Sequence, residues 1–170
     1  MRLYSGKVSL IADDLVRSLT KDGDIEVVSD DEVKLDFESV LKEFVRRSRE
    51  LVDEAKTRME RNGFSYEMLG KVKAQVAKDW GFPPQDEQLP YLVEQLLTML
   101  FHSNNVEEVF AEDAVLRKTI TSCIKKHTDI ESELDREVRS KIKNLEEGTA
   151  SFEVEYEKVM AALKKRKRLE

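Results

Sequence analysis

The chain has 170 residues and a formal net charge of −6, with 38% charged and 40% hydrophobic residues. It contains no run of about 18 apolar residues, so no membrane span is expected, and its single cysteine, Cys123, excludes an internal disulfide and fits a reducing, cytoplasmic setting. Six glycines and three prolines leave little material for turns, which favours a few long helices over a many-stranded sheet.

The N-terminus, Met1-Arg2-Leu3-Tyr4-Ser5-Gly6-Lys7, lacks the apolar core of a signal peptide. Val8, Ile11, Ala12, Leu15, Val16 and Leu19 then recur at three- and four-residue spacing, which predicts a helix over 8–19 with one apolar face. Asp22-Gly23 ends it, since glycine tolerates the left-handed conformation of a helix C-terminus. Ile25-Glu26-Val27-Val28 is too short for a helix and rich in β-branched residues, and reads as a short strand.

Ser29-Asp30-Asp31-Glu32 has the spacing of a capping box. The long run over 33–59 puts Val33, Phe37, Val40, Leu41, Phe44, Leu51, Val52, Ala55 and Met59 on one stripe, with Arg46-Arg47-Ser48-Arg49 interrupting it. Asn62-Gly63 stops this run, and Ser65 can cap a further helix to about Asp79 with Met68, Leu69, Val72 and Val76 inward. Gly81-Phe82-Pro83-Pro84-Gln85-Asp86 is the clearest linker, because its prolines cannot donate backbone hydrogen bonds.

Beyond the linker the plan repeats. Leu89, Leu92, Val93, Leu96, Leu97 and Leu100 form a very apolar helix face, Ser103-Asn104-Asn105 supplies the turn, and Val106-Glu107-Glu108-Val109-Phe110 stands where 25–28 stood. Leu116, Ile120 and Ile124 continue a helix to about Lys126, and Thr128-Asp129-Ile130-Glu131 is a second capping box that breaks the long run in two. By analogy, the first long run is expected to break near Ser48. Leu134, Val138, Ile142 and Leu145 make the next stripe, Gly148 ends it, and Phe152, Tyr156, Val159, Met160 and Leu163 give a last helix.

The expected fold is therefore all-α, with two similar helical-bundle units related by internal duplication and at most one short strand-like segment in each. The units span 1–80 and 87–163, joined by a proline-containing linker at 81–86 and followed by a basic tail at 164–168. Antiparallel pairing of the two short segments, near Val27 and Val109, would explain why both units keep them. The final Leu169-Glu170 resembles a cloning scar and is set aside as vector-derived.

These residues resemble a bacterial family catalogued as domain of unknown function 507. The resemblance rests on Met1-Arg2-Leu3 before a helix, on Leu15-Val16-Arg17-Ser18-Leu19-Thr20-Lys21-Asp22-Gly23 leading to Asp30-Asp31-Glu32, and on Ile130-Glu131 through Val138-Arg139-Ser140-Lys141-Ile142. Gly148, Ser151-Phe152-Glu153 and Tyr156-Glu157-Lys158 extend it, with Phe152 departing from the tryptophan common in the family. The resemblance implies a short helical protein of bacterial origin over nearly the whole chain. It brings no established activity and transfers no site.

Catalytic, cofactor and metal sites are not expected. His102 and His127 are the only histidines, and neither has a cysteine or second histidine at ligand spacing. His127 falls near the inward stripe of its helix, and Cys123 beside Ile120 and Ile124 reads as a small buried hydrophobe. The scattered glycines form no phosphate-binding loop, and Asp22-Gly23-Asp24-Ile25-Glu26 fails as a calcium loop because Val33 stands where a bidentate glutamate is needed. An enzyme with a carboxylate site is the least favoured reading.

Two features point to partners. Trp80, just before the linker, and Phe82, within it, are candidate contacts for a protein partner, tryptophan and phenylalanine being common at interface hot spots. Lys164, Lys165, Arg166, Lys167 and Arg168 carry +5, leaving −11 for the remainder, and are candidate phosphate contacts for nucleic acid or a membrane surface. The tail lacks interleaved aromatics, so nucleic acid is not favoured. The preferred reading is a non-catalytic helical interaction or scaffold protein, with an unidentified protein or a second copy of itself (a homodimer) as partner.

Overall fold

The computed structural model describes residues 1–147 and 149–169, apart from the side chains of Glu131 and Ser132. Its helices are α1 (Val8–Lys21), α2 (Asp30–Asn62), α3 (Leu69–Trp80), α4 (Gln88–His102), α5 (Asp113–Thr128), α6 (Ile130–Lys141) and α7 (Ala150–Arg166). Two short strands, β1 (Ile25–Val27) and β2 (Val106–Val109), pair antiparallel. The chain is thus mainly α-helical, and the two segments expected to pair do so: Ile25 faces Val109, Glu26 faces Glu108 and Val27 faces Val106. Glu107 is the extra residue of an irregularity in that register.

The apolar stripes determine the packing. Ile11, Ala12, Leu15 and Leu19 of α1 are fully buried, and Gly23 at φ 75° turns the chain from α1 toward β1. The leucine-rich face of α4 is also buried, from Leu92 to Leu100, because α4 packs on both α2 and α5 at the centre of the bundle. Its apolar excess is therefore accounted for by the core.

The expected break near Ser48 does not occur. α2 runs unbroken for 33 residues. Arg46 is on its outer side and bridges Glu43 and Glu50 one turn to either side, while the Ser48 hydroxyl donates to the Phe44 carbonyl at 2.8 Å. The charged interruption is one turn of the same helix, with Arg46 and Arg49 exposed, Arg47 and Ser48 half-buried, and Arg46 held by i,i+3 and i,i+4 pairs. The other long run does divide, at Asp129 between α5 and α6.

Neither proposed capping box forms as expected. Ser29 occupies the N-cap of α2 without a side-chain capping bond, so Asp30, Asp31 and Glu32 complement the helix dipole instead. Thr128 turns its hydroxyl back to the Ile124 carbonyl at 3.1 Å, and the side chain of Glu131 lies outside the described residues. α6 ends at Lys141, short of the expected stop at Gly148, which is itself outside the described residues. The side-chain cap that does form is on α7, where Thr149 accepts a bond from the Phe152 N–H at 3.2 Å.

The packing groups the chain by cores rather than by the stretches 1–80 and 87–163. The larger core runs from Leu3 to Ile124 and takes residues from both sides of the linker at 81–86, with α1 packed on both α2 and α5. The smaller core joins Tyr4, Leu134, Val138, Ile142, Phe152, Met160, Leu163 and Leu169. Leu169, set aside on sequence grounds as vector-derived, is only 2% exposed and belongs to the fold. Tyr66 before α3 donates to Glu157 of α7 at 3.0 Å and ties the two cores together.

Candidate functional site

The pairing of β1 with β2 gathers one strongly acidic end of the molecule. Residues 22–32 and 103–113 carry ten carboxylates and no lysine or arginine. Of the ten, only Asp113 has an ion-pair partner among the described residues, Arg117 at 3.7 Å. The rest of the chain is therefore net positive, and the protein is strongly polarised.

The inner face of the ribbon, formed by Ile25, Val27, Val106 and Val109, packs on the larger core. Alternation along a strand turns Glu26, Val28, Glu108 and Phe110 to the other face. Val28 is 66% exposed and Phe110 59% exposed. Glu26 and Glu108 stand directly opposite each other, a like-charge pairing that disfavours the ribbon. Asp36 of α2 anchors the turn into β2, accepting bonds from Ser103 Oγ and from Asn105 Nδ2 at 2.9 Å. The ribbon is thus held firmly while its outer face stays exposed among the described residues.

A second polar constellation lies between α1 and α5. Asp14 is the buried charged residue of the described core, at 7% exposure. Its carboxylate accepts from His127 Nε2 at 2.7 Å, Arg17 at 2.7 Å and Lys126 Nζ at 3.0 Å. Burial opposes ionisation of Asp14, but the hydrogen bonds from His127 and Lys126 and their charges outweigh it and hold the carboxyl below its ordinary value. His127 is the partly buried, hydrogen-bonded residue its helical position suggests. His102 contacts the Thr98 carbonyl at 2.7 Å through Nδ1.

Cys123 shares this interface, its thiol facing Ser18 Oγ at 3.3 Å. Burial pushes the thiol up from its ordinary range, the opposite of what a nucleophilic cysteine needs. Ellman's reagent is expected to leave Cys123 unmodified in the native protein and to titrate one thiol after unfolding in urea. Rapid native-state reaction would show that the α1–α5 interface opens readily.

The linker aromatics separate. Phe82 is 5% exposed and stacks among Phe44, at 5.5 Å, and Tyr91, at 6.3 Å, with the Arg47 guanidinium over its ring. Phe82 is therefore a core residue that braces the linker, and it is withdrawn as a partner contact. Trp80 is 36% exposed at the end of α3, where Gly81 takes the left-handed C-cap conformation.

The basic tail is largely engaged with the fold. Lys164 lies over the Tyr4 ring, and Arg166 and Lys167 both reach Glu137 of α6, at 2.8 and 2.9 Å. Lys165 and Arg168 remain exposed. As a result the tail serves first to fasten α7 to α6 and to the N-terminal segment.

A groove of about 790 Å³ opens where α5 meets α6, lined in part by Leu89, Lys125, Asp129, Arg136 and Tyr156. The Tyr156 hydroxyl donates to Asp135 at 2.6 Å and is the main cause of that carboxyl's lowered pKa. Arg139 bridges Asp135 and Glu147 and covers the Phe152 ring. These groups pin α7 onto α6.

The family model described as protein of unknown function (DUF507) matches residues 1–169. The chain belongs to this family. The search of curated proteins returns no match. The match reaches Leu169, in agreement with its burial. For this DUF507 chain, sequence reasoning identified the strands but missed their joint surface and the Asp14 cluster. The available signals were the absence of any cation from two segments expected to pair, and a carboxylate at position 14 between Ile11 and Leu15 of an apolar stripe.

Proposed function

We propose that the protein is a non-catalytic helical interaction protein of the cytoplasm that presents the β1–β2 end of its bundle to a protein partner. The observation that carries this reading is the exposure of Phe110 and Val28 on a ribbon whose Glu26, Glu107 and Glu108 have no ion-pair partner among the described residues. Exposed apolar side chains in a charged surround are typical of recognition surfaces. The family assignment, which brings no activity, is compatible with it.

The test is site-specific photocrosslinking in the native host. A benzophenone side chain at position 110 should yield a discrete protein adduct, and the same label at exposed position 60 on α2 should not. No adduct at 110, or the same adducts at both positions, would overturn the reading. We also infer that the helix–strand–helix order shared by the two halves reflects duplication of one ancestral unit; the pairing of corresponding segments, β1 with β2, supports it.

A further inference from the structure

We propose that the outer face of the β1–β2 ribbon binds an extended, lysine- or arginine-rich segment of a partner protein. The proposal rests on the interaction reading above and names the chemistry of the partner. Three observations converge on it.

The first is uncompensated charge. Glu26 and Glu108 face each other across the ribbon, and Glu107 bulges beside them. Asp24 precedes β1, while Asp30 and Asp31 open α2 just after it. None of these carboxylates has an ion-pair partner among the described residues.

The second is the separation of opposite charges. The basic tail meets Gly6, just before α1, and the ribbon follows the other end of that helix. The 14 residues of α1 hold the two ends apart by about 20 Å. That is roughly twice the screening length at physiological salt. The tail's cations are therefore too far away to neutralise the ribbon, and the nearer Lys34 is engaged with Asp13, at 2.9 Å, and not with Glu26, Glu107 or Glu108.

The third is the apolar frame around the charge. Val28 and Phe110 lie on the same face as the two glutamates. Lysine and arginine have long apolar stems below their charged heads. Stems resting on Phe110 and Val28 would bring the heads to Glu26 and Glu108, where they relieve the like-charge pairing. A guanidinium can also lie on the Phe110 ring. A bare metal ion would use the carboxylates but leave the two apolar side chains uncovered.

The test uses the full chain and a fluorescent ten-residue peptide alternating lysine and valine. Anisotropy at 50 mM salt should show saturable binding that weakens at least tenfold at 500 mM. Amide signals of residues 24–28 and 105–110 should move on titration. The triple variant Glu26→Gln, Glu107→Gln, Glu108→Gln should bind at least tenfold more weakly while melting no lower than wild type, because it loses a repulsion. Phe110→Ser should bind several-fold more weakly with an unchanged melting temperature.

Several results would overturn the proposal. They are equal binding by the triple variant, signal changes mapping elsewhere, and spermidine binding as tightly as the peptide. Concentration-dependent self-association abolished by the triple substitution would assign the face to a second copy and overturn it too. If the peptide fails but position 110 still crosslinks one partner, the cationic chemistry falls and the interaction reading stands. If both fail, both fall.

Discussion

Asp14→Asn is expected to destabilise the protein by about 3 kcal/mol, the scale of losing charge-assisted hydrogen bonds at a buried carboxylate. For a chain of this size that corresponds to a fall of about 6–12 °C in melting temperature. The side chain is nearly inaccessible, and its partners His127 and Lys126 come from α5, more than a hundred positions away. Asparagine keeps the shape and removes the charge that those donors meet.

The pH dependence identifies the mechanism. The Asp14 carboxyl lies below its ordinary value of 3.8 in the folded chain, so the folded state holds its proton less tightly than the unfolded state. Its contribution is therefore complete above that ordinary value and is lost as pH falls through the lower folded value. The gap between wild type and Asp14→Asn should close on acidification below about pH 4. Urea titrations at several pH values measure it. A gap that persists in acid would assign the loss to shape rather than charge.

Gly6→Ala is the second large effect. A Cβ at position 6 would overlap the carbonyl oxygen of Arg168, which is backbone and cannot swing aside as a side-chain tip can. Arg168 is at φ 53°, in the left-handed region, within a turn closed by the Leu169 N–H on the Lys164 carbonyl at 2.9 Å. The added methyl should displace that turn and unseat Leu169, costing about 1–3 kcal/mol. In a chain lacking 167–169 the same substitution should cost little, since the two sites act as one. A full cost in the shortened chain would refute this coupling.

Local pattern made much of the fold legible. Three- and four-residue spacing revealed the helix faces, and two β-branched tetrads between helices were enough to suggest the ribbon. What misled was information that depends on a third dimension. Arg46-Arg47-Ser48-Arg49 reads as an interruption in one dimension and is a continuous turn of α2 in three, with Arg47 lying over the Phe82 ring. The linker at 81–86 is a real turn, yet α1 reaches past it to pack on α5, which no local signal encodes. Phe82 and Trp80 are two positions apart with similar chemistry, and only the meeting of Phe44, Tyr91 and Arg47 around Phe82 separates core from surface. The candidate surface was half legible: its acids are plain in the sequence, but their convergence follows from strand register.

The smaller core has a consequence for synthesis. It brings Tyr4 together with Leu169, so residues made early wait for residues made much later. Among the described residues the larger core takes no buried side chain beyond Ile124, so it can close while α6 and α7 are still in the ribosome. Maturation should then proceed in two stages. Until the second is complete, the nascent protein carries a finished acidic ribbon at one end and an unsheltered apolar seam at the other, which is where a chaperone would engage it.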